Sequence, residues 1–126
     1  MDTRAKILTL DSALALDPPR PLAVAAGLFD ILRGAHTREL AEIRSRTSAA
    51  ALMAVVLPDP SAVLNQRARV ELAAALRVID YVLAADDADL NRIAAALHPD
   101  AIVRLEAADR LRGAQLIEHV RRRQAR

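Results

Sequence analysis

The chain has 126 residues, a length that fits one domain, so residues 1–126 are expected to fold as a single unit. Hydrophobic residues make up 53% and aromatic residues 2%, which predicts an aliphatic core and excludes a stacking platform for single-stranded nucleic acid. A net charge of +2 gives no case for a nucleic-acid partner, and the absence of cysteine excludes disulfides and thiolate metal sites.

Targeting and membrane signals are missing from the pattern. Residues 1–4 do not begin a signal peptide, and no apolar run approaches the ~18 residues that a membrane span needs. We therefore expect a soluble, cytoplasmic protein that makes no contact with a membrane.

The first half of the chain predicts two buried strands and two helices. A short helix is expected over residues 10–16, with Thr9 as its cap. Residues 22–26 and 52–57 are continuous apolar runs, which is typical of strands that are covered on both faces. Between them a helix is expected from about residue 34.

The second half continues the alternation. Strands are predicted over residues 81–84 and 101–105, and helices from about residues 65, 86 and 108. The apolar residues that mark the first of these helices are Ala68, Leu72, Leu76 and Ile79. An acidic cluster precedes the second, and its simplest interpretation is capping of the free helix amides. The cluster consists of Asp86, Asp87 and Asp89.

Strands that alternate with helices indicate a parallel sheet with right-handed crossovers. The predicted fold is a Rossmann-like, doubly wound α/β domain with about four strands and helices on both faces. In such folds ligands bind at the carboxyl ends of the strands, near the point where the strand order reverses. The turn after the first strand is therefore the candidate site.

That turn combines glycine, arginine and histidine ahead of a helix. Gly27 allows close approach of a ligand to the backbone, and His36 lies at the predicted helix start, where free amides favour phosphate. Arg33 adds a fixed positive charge. On these residues alone, an ordinary surface histidine is the simpler interpretation of His36.

Residues 27–36 resemble the signature of the cytidylyltransferase-like nucleotidyltransferases, Gly-x-Phe-Asp-x-x-His-x-Gly-His. Arg33 stands where that signature has its first histidine, and Ala35 where it has glycine, with Gly34 one place earlier. The matching positions are Gly27, Phe29, Asp30 and His36.

The resemblance extends downstream and covers about residues 6–105. Residues 69–82 are similar to the family's arginine-bearing helix and its Val-Asp-x-Val strand. Residues 97–104 are similar to its Arg-Pro-Asp-x-x-Val-Lys segment, with Arg104 at the lysine.

Membership would imply that a phosphorylated small molecule attacks the α-phosphate of CTP or ATP and that pyrophosphate leaves. His36 and Arg33 would be the catalytic residues, and the chemistry of the family implies that Mg²⁺ would arrive with the nucleotide. The histidines of the chain show no metal-ligand spacing, so no tightly bound metal is expected. The nucleotide-binding residues would be Gly27, Phe29, Asp30, Gly34, Arg69 and Arg104.

Two departures from the family pattern predict that transfer is weak or lost. Only residues 110–113 are similar to the start of the family's late Arg-Thr-x-Gly-Ile-Ser-Thr-Ser motif, and Arg33 replaces an imidazole with a bulkier, permanently charged group. The alternative is a non-catalytic interaction module. It would keep the fold and act through a protein partner or a homodimer at an exposed sheet edge.

Overall fold

The computed structural model describes residues 3–30 and 34–105. Arg33 and the last predicted helix, from about residue 108, lie outside these residues. After a 3-10 helix at Thr3–Lys6, the elements follow in the order α1 Leu10–Leu14, β1 Leu22–Gly27, α2 Gly34–Thr47, β2 Ala51–Val56, α3 Gln66–Ala74, β3 Tyr81–Ala84, α4 Asp87–Leu97 and β4 Ala101–Arg104. The predicted α/β alternation is confirmed.

The four strands form one parallel sheet in the order β3-β2-β1-β4. The chain moves outward from β1 through β2 to β3 and then crosses back past β1 to form β4. The strand order therefore reverses between β1 and β4. Their carboxyl ends lie side by side, with Ala26 in register with Arg104.

Both faces of the sheet carry helices, which explains the continuous apolar strands. All six residues of β1 and all six of β2 are buried. Side chains of α1 and α4 pack with Val24 and Met53 on one face, and those of α2 and α3 pack with Ala25 and Ala54 on the other. The predicted doubly wound, Rossmann-like fold is thus confirmed.

Three helices begin with a polar side chain that accepts a hydrogen bond from a first-turn amide. Thr9 and Asn65 serve α1 and α3 in this way. Asp86 and Asp89 form a reciprocal capping box at the start of α4. The interpretation of the acidic cluster as a helix cap is therefore confirmed.

Helix α3 begins close to its predicted start, but it ends earlier and buries a different face. Leu72, one of the residues that marked the helix, is 39% exposed, and two others, Leu76 and Ile79, lie beyond its end. The buried residues are Arg69, Val70, Ala73 and Ala74. Apolar periodicity misplaced the face because one of its buried positions is an arginine and two are alanines.

The segment before α1 runs beside β3. Ile7 forms a parallel bridge with Val82, and the Leu8 amide donates to the Val82 carbonyl at 2.8 Å. Lys6 is buried and donates from Nζ to the Leu76 carbonyl at 3.0 Å, just beyond the carboxyl end of α3. A cation at that end interacts favourably with the helix dipole.

We call the end of the sheet where the strands begin the amino edge. At this edge, an aspartate just before β3 is hydrogen-bonded to the neighbouring strand. The Asp80 amide donates to the Leu52 carbonyl at 2.9 Å, and Asp80 Oδ2 accepts from the Leu52 amide at 2.9 Å. Arg44 Nη1 lies 2.7 Å from the same Oδ2 and also donates to the Val78 carbonyl.

A second aspartate repeats this arrangement before β4. The Asp100 amide donates to the Leu22 carbonyl at 2.8 Å, and Asp100 Oδ2 accepts from the Leu22 amide at 2.7 Å. Arg20 Nη1 lies 3.5 Å from Oδ2, and the same guanidinium donates to the His98 and Leu97 carbonyls. The Leu22 hydrogen bond, helped by the charge of Arg20, lowers the pKa of Asp100 despite an opposing cost of desolvation.

Candidate functional site

The carboxyl end of β1 continues into a turn that stays attached to β2. We call residues 28–30 the β1 turn and residues 57–65 the β2–α3 loop. The Leu57 amide donates to the Gly27 carbonyl at 2.9 Å, so the two strands remain paired where each of them ends. The β1 turn therefore starts from a fixed point at the place where the strand order reverses.

Phe29 gives the β1 turn its direction. Its φ of 52° is in the left-handed region, which costs a residue other than glycine ~1–3 kcal/mol. Its side chain is only 2% exposed and belongs to the apolar cluster that includes Leu40 of α2 and Val70 of α3. Burial of the ring offsets the backbone strain and fixes the position of the next residue.

Asp30 binds the β2–α3 loop with both carboxylate oxygens. The Val63 amide donates to Oδ2 at 2.8 Å, and the Leu64 amide donates to Oδ1 at 2.9 Å. Hydrogen bonds to a charged acceptor are stronger than those between neutral groups. Asp30 therefore attaches the loop to the turn through two consecutive amides.

Arg69 of α3 donates hydrogen bonds to carbonyl groups of the same turn and the same loop. Its Nη1 donates to the Leu28 carbonyl at 2.8 Å and to the Leu57 carbonyl at 2.7 Å, and its Nε donates to the Leu64 carbonyl at 3.1 Å. We call the hydrogen bonds of Asp30 and Arg69 together the bracket. The bracket joins the β1 turn to the β2–α3 loop.

Arg69 is buried, with only 2% of the residue exposed. Among the ion pairs within residues 3–30 and 34–105, none gives Arg69 a carboxylate partner. Its charge is compensated by the partial negative charges of three carbonyl oxygens, which makes its hydrogen bonds essential to its burial. The positive charge of Arg69 thus lies within hydrogen-bond distance of the β1 turn, at the Leu28 carbonyl. The predicted contact between Arg69 and a triphosphate stays a prediction.

Arg104 lies on the other side of β1, at the carboxyl end of β4. Its Nη2 is 2.6 Å from Oδ1 of Asp87, in the first turn of α4. The two side chains are 47% and 72% exposed, so solvent screens this pair. Arg104 and Arg69 therefore flank the end of β1 from opposite faces of the sheet, since α4 and α3 cover opposite faces.

The residues predicted to be catalytic are described only in part. Gly34 is the first residue of α2, and His36 lies in the first turn of that helix. The side chain of His36 and the whole of Arg33 lie outside the described residues.

The structure brings most of the described candidates together. Gly27, Phe29, Asp30 and Arg69 meet in and around the bracket, and Arg104 lies on the neighbouring strand. Sequence reasoning missed the β2–α3 loop, whose backbone groups make the contacts. Backbone amides and carbonyls leave no side-chain signal, so only the sheet topology could have indicated their role.

Two features are absent from the part of the chain that the structure describes. In residues 3–30 and 34–105, no three or more histidine, aspartate or glutamate side chains are grouped to hold a metal ion. No helix in this part of the chain is long and apolar enough to cross a membrane.

Comparison with known proteins supports the fold. No family model matches the chain, and no curated protein matches it. Among solved structures, the chain is similar to a lipopolysaccharide core biosynthesis protein from Thermoplasma volcanium GSS1, with 25% identity and a TM-score of 0.57. The match covers 64% of this chain and 70% of that one. This similarity is consistent with a nucleotidyltransferase-like fold.

Proposed function

We propose that the chain is a nucleotidyltransferase-like domain that binds the triphosphate of CTP or ATP at the β1 turn, with transfer to a phosphorylated small molecule weak or lost. The observation that carries the proposal is the structure of the β1 turn, which lies where the strand order reverses. The ring of Phe29 is buried and its backbone is left-handed, and the guanidinium of Arg69 donates to the turn. Helix α2 begins shortly after the turn, at Gly34. Ligands of open α/β sheets bind at this place.

Each residue of the site has a role in the proposal. The amides that begin α2, together with His36 and Arg33, interact with the triphosphate. Arg69 supplies positive charge from beneath the turn, and Arg104 binds the phosphate of the acceptor molecule. Mg²⁺ arrives on the nucleotide and neutralises phosphate charge.

Transfer requires more than binding. The attacking and leaving oxygens must be held in line, and charge must be stabilised as pyrophosphate departs. Arg33 keeps a positive charge where the resembled family has an imidazole, but its geometry differs. The serine and threonine hydroxyls of the family's late motif have no counterpart in this sequence. Both differences support binding with little transfer.

Calorimetric titration with CTP and with ATP, each with Mg²⁺, tests the proposal. We expect micromolar binding to the native chain and a loss of at least about tenfold in His36→Ala. His98→Asn is the matched control. His98 lies at the amino edge with a φ of 47°, which asparagine tolerates. The nucleotide affinity of the His98→Asn variant should therefore equal that of the native chain.

The absence of binding to either nucleotide at millimolar concentration would contradict the proposal. Where binding is found, pyrophosphate release in the presence of phosphorylated acceptors measures transfer. Rapid release would show that the two departures from the family pattern do not impair catalysis.

The second candidate is a non-catalytic interaction module, with a protein partner or a second copy of the chain. The observation that favours it is β4, which is an edge strand of the sheet formed by residues 3–30 and 34–105 and in which Ile102 is 44% exposed. An apolar strand at a sheet edge is prone to pair with another chain. Sedimentation at several concentrations tests the homodimer. Absence of nucleotide binding together with concentration-dependent association would favour this module over the first proposal.

A further inference from the structure

We infer that Asp30 is a positioning residue that couples the β1 turn to the β2–α3 loop, so that a nucleotide bound at the turn also stabilises the loop at Val63 and Leu64. This inference rests on the proposed function. It changes the expected role of Asp30 from a nucleotide contact to a connection between two backbone segments.

The first step concerns the carboxylate of Asp30. Its Oδ2 and Oδ1 lie 2.8 Å and 2.9 Å from the amides of Val63 and Leu64, so each oxygen already has a donor. A carboxylate that serves two consecutive amides fixes both the distance and the orientation of the loop. The side chain is thus committed to the loop.

The second step concerns which groups donate and which accept in the hydrogen bonds of the bracket. Asp30 accepts from loop amides, and Arg69 donates to the Leu64 carbonyl of the loop and the Leu28 carbonyl of the turn. The peptide groups around Leu64 are therefore held through both their N–H and C=O groups. The loop cannot shift relative to the turn without breaking charge-assisted hydrogen bonds of both kinds.

The third step concerns how a nucleotide bound at the β1 turn affects the loop through Asp30. Phe29 is fixed by its buried ring, and α2 begins four residues after Asp30, at Gly34. A phosphate bound at the β1 turn restrains Asp30, because Asp30 is the last residue of that turn. Because Asp30 is bonded to Val63 and Leu64, ordering of the turn is transmitted to these two amides. Val63, whose side chain is 77% exposed, has little packing of its own to hold it.

Hydrogen exchange of backbone amides, with and without CTP or ATP and Mg²⁺, tests the coupling. In the native chain we expect slow exchange at Val63 and Leu64, slowed further by nucleotide. In Asp30→Ala we expect exchange at both amides to be at least about tenfold faster, and the effect of nucleotide on them to disappear. Asp30→Asn keeps one acceptor oxygen and should give an intermediate result.

Ser61→Ala is the matched control within the same loop. It removes the hydrogen bond from Ser61 Oγ to Asp59 Oδ1 at 2.8 Å and leaves the bracket intact. Nucleotide should therefore still slow exchange at Val63 and Leu64 in this variant.

The outcomes separate this inference from the proposed function. Nucleotide binding by the native chain without any change at Val63 and Leu64 would overturn the coupling alone. Loss of binding in Asp30→Ala, with native exchange at both amides, would make Asp30 a direct ligand and overturn the positioning role. Failure of the native chain to bind nucleotide in calorimetry would overturn the proposed function, and the coupling with it.

Discussion

The amino edge of the sheet differs from the β1 turn, which lies at the carboxyl edge formed by the carboxyl ends of the strands, in how aspartate and arginine are used. At the amino edge, Asp80 pairs directly with Arg44, and Asp100 with Arg20, while each carboxylate also accepts a strand amide. At the carboxyl edge, Asp30 binds only loop amides among its described hydrogen bonds, and Arg69 binds only carbonyls. Around the β1 turn the charges of Asp30 and Arg69 are therefore not paired directly, whereas Arg104 and Asp87, at the end of β4, do form an exposed ion pair.

This difference distinguishes strand ends that are held by direct ion pairs from a turn that is held by hydrogen bonds to backbone groups. Direct pairing at the amino edge cancels charge and holds the strands in register. At the β1 turn the buried charge of Arg69 is compensated by hydrogen bonds to three carbonyl oxygens rather than by a direct ion pair among the described residues. We therefore expect substitutions at the amino edge to change stability alone, and those at the carboxyl edge to change stability and ligand affinity together.

The largest effect is expected for Arg69→Met. The substitution leaves the carbonyls of Leu28, Leu57 and Leu64 without their buried donor, and each unsatisfied group costs ~1–3 kcal/mol. We expect the free energy of unfolding to fall by about 3 kcal/mol in urea denaturation. Nucleotide affinity should fall as well, because the positive charge beneath the turn is removed.

Asp80→Asn is the matched substitution at the opposite edge. It removes the charge that pairs with Arg44 and keeps an acceptor for the Leu52 amide, so a loss of ~1 kcal/mol in stability is expected. Nucleotide affinity should not change. Equal effects of the two substitutions on affinity would show that the edges do not differ in function.

An intermediate effect, dependent on pH, is expected for Asp100→Asn. The pKa of Asp100 is lower in the folded protein than its ordinary value of 3.8, first because of the Leu22 amide and then because of Arg20. Its contribution to stability is therefore present above the ordinary value and is lost as pH falls through the folded pKa. Urea denaturation between pH 6 and pH 3 should show the native chain approaching the variant as pH falls.

A constant difference between Asp100→Asn and the native chain over this pH range would contradict the assignment. Asp11→Asn offers a control, since Asp11 is an exposed first-turn residue of α1 that lies apart from the sheet edges.

The smallest effect is expected for Asp87→Asn. The pair between Asp87 and Arg104 is exposed, and such pairs contribute ~0–1 kcal/mol. We expect a loss of less than about 1 kcal/mol that diminishes in 1 M salt, where the Debye length is only ~3 Å. A loss as large as that of Arg69→Met would show that the carboxyl edge also depends on direct charge pairing.

Much of the candidate site could be located from sequence, but its internal connections could not. The apolar run before Gly27 and the resemblance of residues 27–36 directed attention to the end of β1, where the strand order does reverse. Arg69 and Asp30 are both predicted to bind nucleotide, which stays a prediction, and the structure shows hydrogen bonds between each of them and backbone groups that the sequence did not indicate. Apart from the Leu64 carbonyl, five residues before Arg69, their partners lie 12 to 41 residues away along the chain, and no local pattern connects them.

By itself, the sequence determined the local elements of this protein. Continuous apolar runs specified β1 and β2 because both strands are covered on both faces, and a capping box specified the start of α4 because its carboxylates satisfy free amides. Tertiary structure alone decided the strand order, the left-handed Phe29 and the burial of Arg69. These features depend on which backbone groups of distant segments meet, and a one-dimensional pattern of apolar and polar residues does not record that.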